Sequence, residues 1–108
     1  MSSNLKIFQP SGILDGTKAS EFRQQISESV ENGAKIVLVD FQKVTFMDSS
    51  GLGALVLALK SVRSGNSKLY ICSINDQIRM LFELTSMDRV FEIYANRQEF
   101  EKEILSEK

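Results

Sequence analysis

The sequence predicts a single α/β domain in which about four mostly parallel strands pack with four helices. Strand-like and helix-like segments alternate along the chain, as they do in strand–helix–strand units joined by right-handed crossovers. Lys35 to Asp40 carries a continuous apolar run, the pattern of a strand covered on both faces. The length, 108 residues, suits one domain with one core, and no linker, internal repeat or low-complexity tract divides it. The expected domain is therefore 1–108, with a core from about 5 to 103.

The elements follow in order. Lys6 to Gln9 is the first strand, with Leu5 and Ile7 alternating against Lys6. Pro10 removes a ladder donor, so this strand ends there or lies at a sheet edge. Gly12 to Gly16 reads as a loop. Ala19, Phe22, Ile26 and Val30 then recur at helical spacing, and Asn32-Gly33 stops that helix. The second strand is Lys35 to Asp40, and Phe41 to Asp48 reads as the loop after it. The second helix, Leu52 to Val62, carries Leu55, Val56 and Leu59 and ends at Gly65; its first half is apolar nearly all round, which predicts the most buried helix. Lys68 to Ile74 is the third strand, holding Tyr70 and Cys72. Asn75 is a good N-cap for a third helix with Ile78, Leu81, Phe82 and Leu84 inward. Val90 to Tyr94 is the fourth strand. Asn96-Arg97-Gln98-Glu99 resembles a capping box and starts a last helix with Phe100 and Ile104 on one face. The tail, Ser106-Glu107-Lys108, is expected to fray.

Composition narrows the function classes. With 43% hydrophobic and 25% charged residues, the chain has the make-up of an ordinary globular domain. Thirteen basic against 14 acidic side chains leave a net charge of −1, which provides no electrostatic footprint for nucleic acid and no polybasic membrane patch. No apolar run approaches the roughly 20 residues that span a bilayer. Met1-Ser2-Ser3-Asn4 lacks the charged and apolar regions of a secretory signal, and the single Cys72 forms no internal disulfide, so a cytoplasmic protein is expected. There is no histidine, hence no Ser-His-Asp or Cys-His catalytic arrangement and no histidine-ligated zinc. No catalytic residue, metal or cofactor is assigned, and an enzyme is not expected.

Asp48-Ser49-Ser50-Gly51-Leu52-Gly53 is the segment that bears on function. It stands at a strand-to-helix corner, where the first helical N–H groups lack backbone partners and the helix dipole favours an anion. Two readings stand side by side. Ser49 or Ser50 is a plain N-cap, or the corner is a phosphorylation or anion site. Gly51-Leu52-Gly53 lacks the Lys-Ser/Thr of a P-loop and the third glycine of the dinucleotide fingerprint, and no glycine stands two residues before either serine as in a nucleophile elbow. Gly12-Ile13-Leu14-Asp15-Gly16-Thr17 is a second polar corner, with Asp15 or Thr17 as the cap of the first helix. In a parallel sheet both corners lie at the carboxyl ends of strands, the usual binding edge. Cys72 reads as core packing. The four methionines read as gap-fillers, with Met47, beside the serine corner, the one candidate for a binding surface.

Val44-Thr45-Phe46-Met47-Asp48-Ser49-Ser50-Gly51-Leu52-Gly53 resembles the signature of the bacterial anti-sigma factor antagonists, the STAS domain. Ser11-Gly12-Ile13-Leu14-Asp15 is similar to that family's Gly-Glu-Leu-Asp segment, and Ile71 to Leu84 to its third strand and helix. The likeness runs from Leu5 to about Glu103. Ile13 stands where the family usually has Glu, Pro10 where an apolar residue is usual, and the chain begins at what resembles the family's second strand. The resemblance implies a phosphorylation-controlled protein-binding switch in transcription regulation. Ser49 is then the phosphoacceptor, and Asp15, Thr17, Asp48, Ser49, Ser50, Gly51 and Leu52 form the partner surface. Asp48 orients the loop or the partner's active site, and Gly51 and Gly53 permit close backbone approach. The implied partners are an anti-sigma factor serine kinase, bound only by the unphosphorylated form so that the sigma factor is released, and a metal-dependent serine phosphatase. Two rival readings are a STAS subunit of an ABC-type lipid-transport complex that binds its ATPase, and a nucleotide-binding protein using the same corner.

Overall fold

The computed structural model describes residues 4–106; Met1-Ser2-Ser3 and the last two residues of the expected fraying tail, Glu107-Lys108, lie outside the described residues. Four strands form one sheet: β1 (Leu5–Phe8), β3 (Ile36–Asp40), β5 (Lys68–Cys72) and β6 (Glu92–Tyr94), in the order β1-β3-β5-β6 with every neighbouring pair parallel. These are the four strands expected. β1 lies at an edge and stops short of Pro10, as the missing donor of that residue requires. β5 stops at Cys72 rather than Ile74, because Ser73 turns the backbone to a left-handed φ of 65°. β6 begins at Glu92 rather than Val90, since Met87–Arg89 forms a short 3₁₀ turn ahead of it.

Two segments expected as loops contain strands. β2 (Ser11–Leu14) and β4 (Lys43–Met47) pair in parallel as a separate two-stranded ribbon. Their alternation is concealed in the sequence by an irregularity. Gly12 pairs with Val44 but Ile13 pairs with Phe46, so Thr45 is an extra residue on β4. Gly12, at φ 74°, takes a conformation that other residues rarely adopt.

The helices are α1 (Gly16–Glu31), α2 (Ser49–Ser64), α3 (Asp76–Leu84) and α4 (Arg97–Phe100), the last continuing as a π-helical turn through Glu101–Leu105. The main sheet is buried on both sides. Val37, Val39, Leu69 and Ile71 point into a large cluster with Phe22 and Ile26 of α1, Leu55, Leu59 and Val62 of α2, and Ile78 and Phe82 of α3. Leu38, Tyr70 and Cys72 point the other way, against Phe100, with Ile104 packed beside it. Alternate residues of β3 and β5 thus serve opposite faces, which is why both strands read as unbroken apolar runs. α2 is the most buried helix, as expected, although Leu57 on its outer face is half exposed. In α3, Ile78 and Phe82 point inward, but Leu84 is 79% exposed and does not join the core as expected. It stands two positions past Phe82, roughly 200° round the helix from it.

Candidate functional site

The two polar corners meet. Leu14 and Met47 are register partners at the ends of β2 and β4, both buried, and each is followed by an aspartate that caps a 16-residue helix. Asp15 Oδ1 accepts from the Lys18 N–H at 3.1 Å, and Asp48 Oδ1 accepts from the Gly51 N–H at 2.8 Å. The cap of α2 is therefore Asp48, not Ser49 or Ser50, and α2 begins at Ser49 rather than Leu52. α1 and α2 start side by side: a Cβ placed on Gly16 would lie 3.1 Å from the Cβ of Ser50. Two helix N-termini, with their unpartnered N–H groups, thus share one edge of the molecule.

The extra residue on β4 sets which side chains face out. Regular pairing would send Val44 and Phe46 to the same side. With Thr45 unpaired, the phase flips: Val44 and Met47 are buried while Phe46 is 44% exposed beside Ile13, itself 56% exposed. Met47 lies fully buried under the serine corner, so it offers no binding surface; among the described residues, Met80 on α3, 60% exposed, is the methionine that faces out.

The free side of β4 is held by α3. Gln77 Oε1 accepts from the Met47 N–H at 2.9 Å, and its Nε2 donates to the Met47 carbonyl at 2.8 Å. Asn75 caps α3 through the Ile78 N–H at 2.9 Å and also donates to the carbonyls of Val44, at 3.3 Å, and Thr45, at 3.2 Å. Sequence reasoning identified the cap but missed these long-range bonds. Asn75 and Gln77 stand 30 or so positions from β4, and nothing local marks them as its partners.

Ser49, Ser50, Asp15 and Thr17 are exposed at this edge, and Asp48 is half-buried. Among the described residues, no hydrogen-bond partner holds the Ser49 hydroxyl, and neither Asp15 nor Asp48 has an ion-pair partner. Gly51 and Leu52 are buried and brace the corner from within. Gly51 permits a close approach inside the domain, since an added Cβ would sit 2.2 Å from the Leu14 carbonyl oxygen. Gly53 has no such role, because nothing lies within 4 Å of a Cβ placed there.

A second polar cluster is tied up internally. Asp40, buried at the end of β3, accepts from Gln9 Nε2 at 3.1 Å, the Gln42 N–H at 3.0 Å and Arg97 at 3.3 Å. The buried Cys72 thiol is raised above its ordinary pKa, first by desolvation and further by the neighbouring Asp40. Among the described residues no three acidic or thiol side chains converge as metal ligands, and no helix is long and apolar enough to cross a membrane.

The STAS domain model matches residues 2–100, nearly the whole of this fold. The chain belongs to the STAS domain family. The STAS chain is 33% identical over 76 residues to an anti-sigma-B factor antagonist of Staphylococcus aureus, covering 70% of each protein. Its fold matches the crystal structure of a putative anti-sigma factor antagonist from Thermotoga maritima with a TM-score of 0.85 and 25% identity, covering 94% of this chain and 87% of that one. The anti-sigma factor antagonist SpoIIAA in its unphosphorylated form shares the fold with a TM-score of 0.77 at 16% identity, covering 93% of this chain and 88% of that one.

Proposed function

We propose that this STAS domain is an anti-sigma factor antagonist, a protein-binding switch controlled by phosphorylation of Ser49. The observation that carries the reading is the setting of Ser49. It is the first residue of α2, exposed and without a hydrogen-bond partner among the described residues, between Asp48 and Ser50 at the edge where α1 and α2 start side by side. An anti-sigma factor serine kinase docks on this edge when Ser49 is unmodified and releases its sigma factor. It transfers the γ-phosphoryl group of ATP to Ser49 Oγ, giving ADP and a proton. A metal-dependent serine phosphatase returns the hydroxyl by hydrolysis, releasing inorganic phosphate.

The physics favours a local switch. A phosphate adds about −1.5 to −2 charges at pH 7. At the start of α2 the free N–H groups and the dipole accommodate that charge, so the domain stays folded. Two carboxylates already flank the site, so the added charge makes the edge strongly anionic and bulky. A partner that closes over neutral Ser49 must then desolvate the phosphate or withdraw. Incubation with the kinase and ATP is expected to add one phosphate at Ser49. Peptide mass spectrometry that placed it on Ser50, or found none while the kinase phosphorylates another substrate, would refute the assignment.

A further inference from the structure

Ile13 and Phe46 are exposed large hydrophobic residues, and they are direct register partners on adjacent strands. Such a pair brings its side chains into contact range. Each lies two positions before a capping aspartate, Ile13 before Asp15 and Phe46 before Asp48. The apolar step is therefore continuous with the edge that carries Ser49. It exists because of the irregularity in the ribbon: with Thr45 unpaired, the aromatic ring turns outward where regular pairing would send it inward with Val44.

The chemistry beside the step restricts what covers it. Asp15 and Asp48 have no ion-pair partner among the described residues. A partner seated here meets carboxylates at the corner and hydrocarbon next to them. A kinase that closes over Ser49 must cover the residues beside it, and an exposed aromatic bordered by polar groups has the mixed composition of a transient protein interface with an aromatic anchor. We propose that Ile13 and Phe46 are the docking step for the serine kinase that modifies Ser49, binding an apolar patch on the kinase next to the site that closes over the serine. This rests on the reading of Ser49 given above. It adds a division of labour: the corner carries the switch, and the apolar step supplies affinity that phosphorylation leaves untouched.

The test uses the full chain, ATP and a purified anti-sigma factor kinase, first shown to phosphorylate wild-type Ser49. Ile13→Ser, Phe46→Ser and the double variant are compared with Leu57→Ser, which removes a half-exposed apolar side chain from the outer face of α2. The double variant is expected to raise KM about tenfold and weaken calorimetric binding similarly, with kcat within about twofold of wild type. Leu57→Ser is expected to leave all three unchanged. Phe46→Leu is expected to recover most of the affinity, and equal melting temperatures exclude misfolding as the cause. A double variant phosphorylated and bound as well as wild type would overturn the docking step while leaving the Ser49 switch standing. A fall in kcat at unchanged KM would also overturn it. Wild-type protein that no such kinase binds or modifies would overturn both.

Discussion

Gln77 binds both backbone polar groups of Met47, accepting from its N–H at 2.9 Å and donating to its carbonyl at 2.8 Å. A side chain on α3 thus takes the place of a neighbouring strand along the last residue of β4. That residue leads directly into Asp48 and Ser49, so α3 fixes the direction in which the serine corner leaves the ribbon. Gln77→Ala removes both bonds and strands two backbone groups at a half-covered edge. A loss of about 1–3 kcal/mol is expected in urea unfolding. Hydrogen exchange at Met47 should accelerate more than at β3. Gln98→Ala, an exposed glutamine on α4, is the control and should stay within about 0.5 kcal/mol. Equal effects of the two would mean that Gln77 does not hold β4.

The glycines of the corner give a pair of changes with opposite signs. An alanine at Gly51 would press its Cβ to 2.2 Å from the Leu14 carbonyl oxygen and 3.0 Å from Met47 Cγ. The backbone at Leu14 cannot swing aside as a side chain would, so Gly51→Ala should cost about 1–3 kcal/mol or more. Gly53 is exposed within α2 with no neighbour within 4 Å of a Cβ. Gly53→Ala should therefore stabilise by about 0.5–1 kcal/mol through helix propensity. Thermal melts of the two single variants decide the matter; a shift in the same direction would contradict the packing described here.

How much of this was legible in the sequence depends on the residues that carry it. β3 and β5 were plain because both of their faces are buried, and an unbroken apolar run needs no phase. β2 and β4 were not, because Thr45 breaks the period of two and sends Phe46 out where alternation would send it in. The serine corner is legible in its own residues, yet they leave the cap open between Ser49 and Ser50. Asp, Ser and Asn cap helices about equally well, and only the bond from the Gly51 N–H to Asp48, at 2.8 Å, decides between them. Leu84 is expected inward beside Leu81, but it stands roughly 200° round α3 from the buried Phe82, and at the last position of the helix it is 79% exposed. The clamps from Asn75 and Gln77 join segments about 30 residues apart, and no local pattern encodes them.

Cys72 provides a dependence on pH. Burial raises its thiol pKa in the folded protein, while the unfolded chain titrates near the ordinary value of about 8.5. Below that value neither state ionises and the full contribution to stability is present. As pH rises from there through the higher folded value, the unfolded state loses its proton first and stability falls. Urea unfolding at rising pH should show wild type losing stability faster than Cys72→Ala above about pH 8.5, whatever the offset between them at neutral pH. Native protein should also react with a thiol reagent far more slowly than urea-unfolded protein. Parallel pH profiles for the two proteins would show that the thiol does not titrate differently on folding.

Ser49 allows stability and function to be separated at one position. Ser49→Asp puts a carboxylate at the first position of α2, where the dipole attracts it and the carboxylates of Asp48 and Asp15 repel it. These effects oppose each other at an exposed site, so the melting transition should move by no more than about 1 kcal/mol. A collapsed transition would mean that the corner tolerates no charge, and a phosphate there would then unfold the domain rather than switch it. Binding should respond differently. Ser49→Ala deletes one oxygen that no described group holds, so the kinase should still bind, but ATP should no longer dissociate the complex. Ser49→Asp should bind more weakly, since its charge must be desolvated as the partner closes. Aspartate carries less charge and fewer oxygens than phosphoserine, so the loss should be partial. Calorimetric titration of both variants, with and without ATP, tests these claims together. If both bind as wild type does and ATP still releases the alanine variant, Ser49 is only the first residue of a helix and control lies elsewhere on the surface.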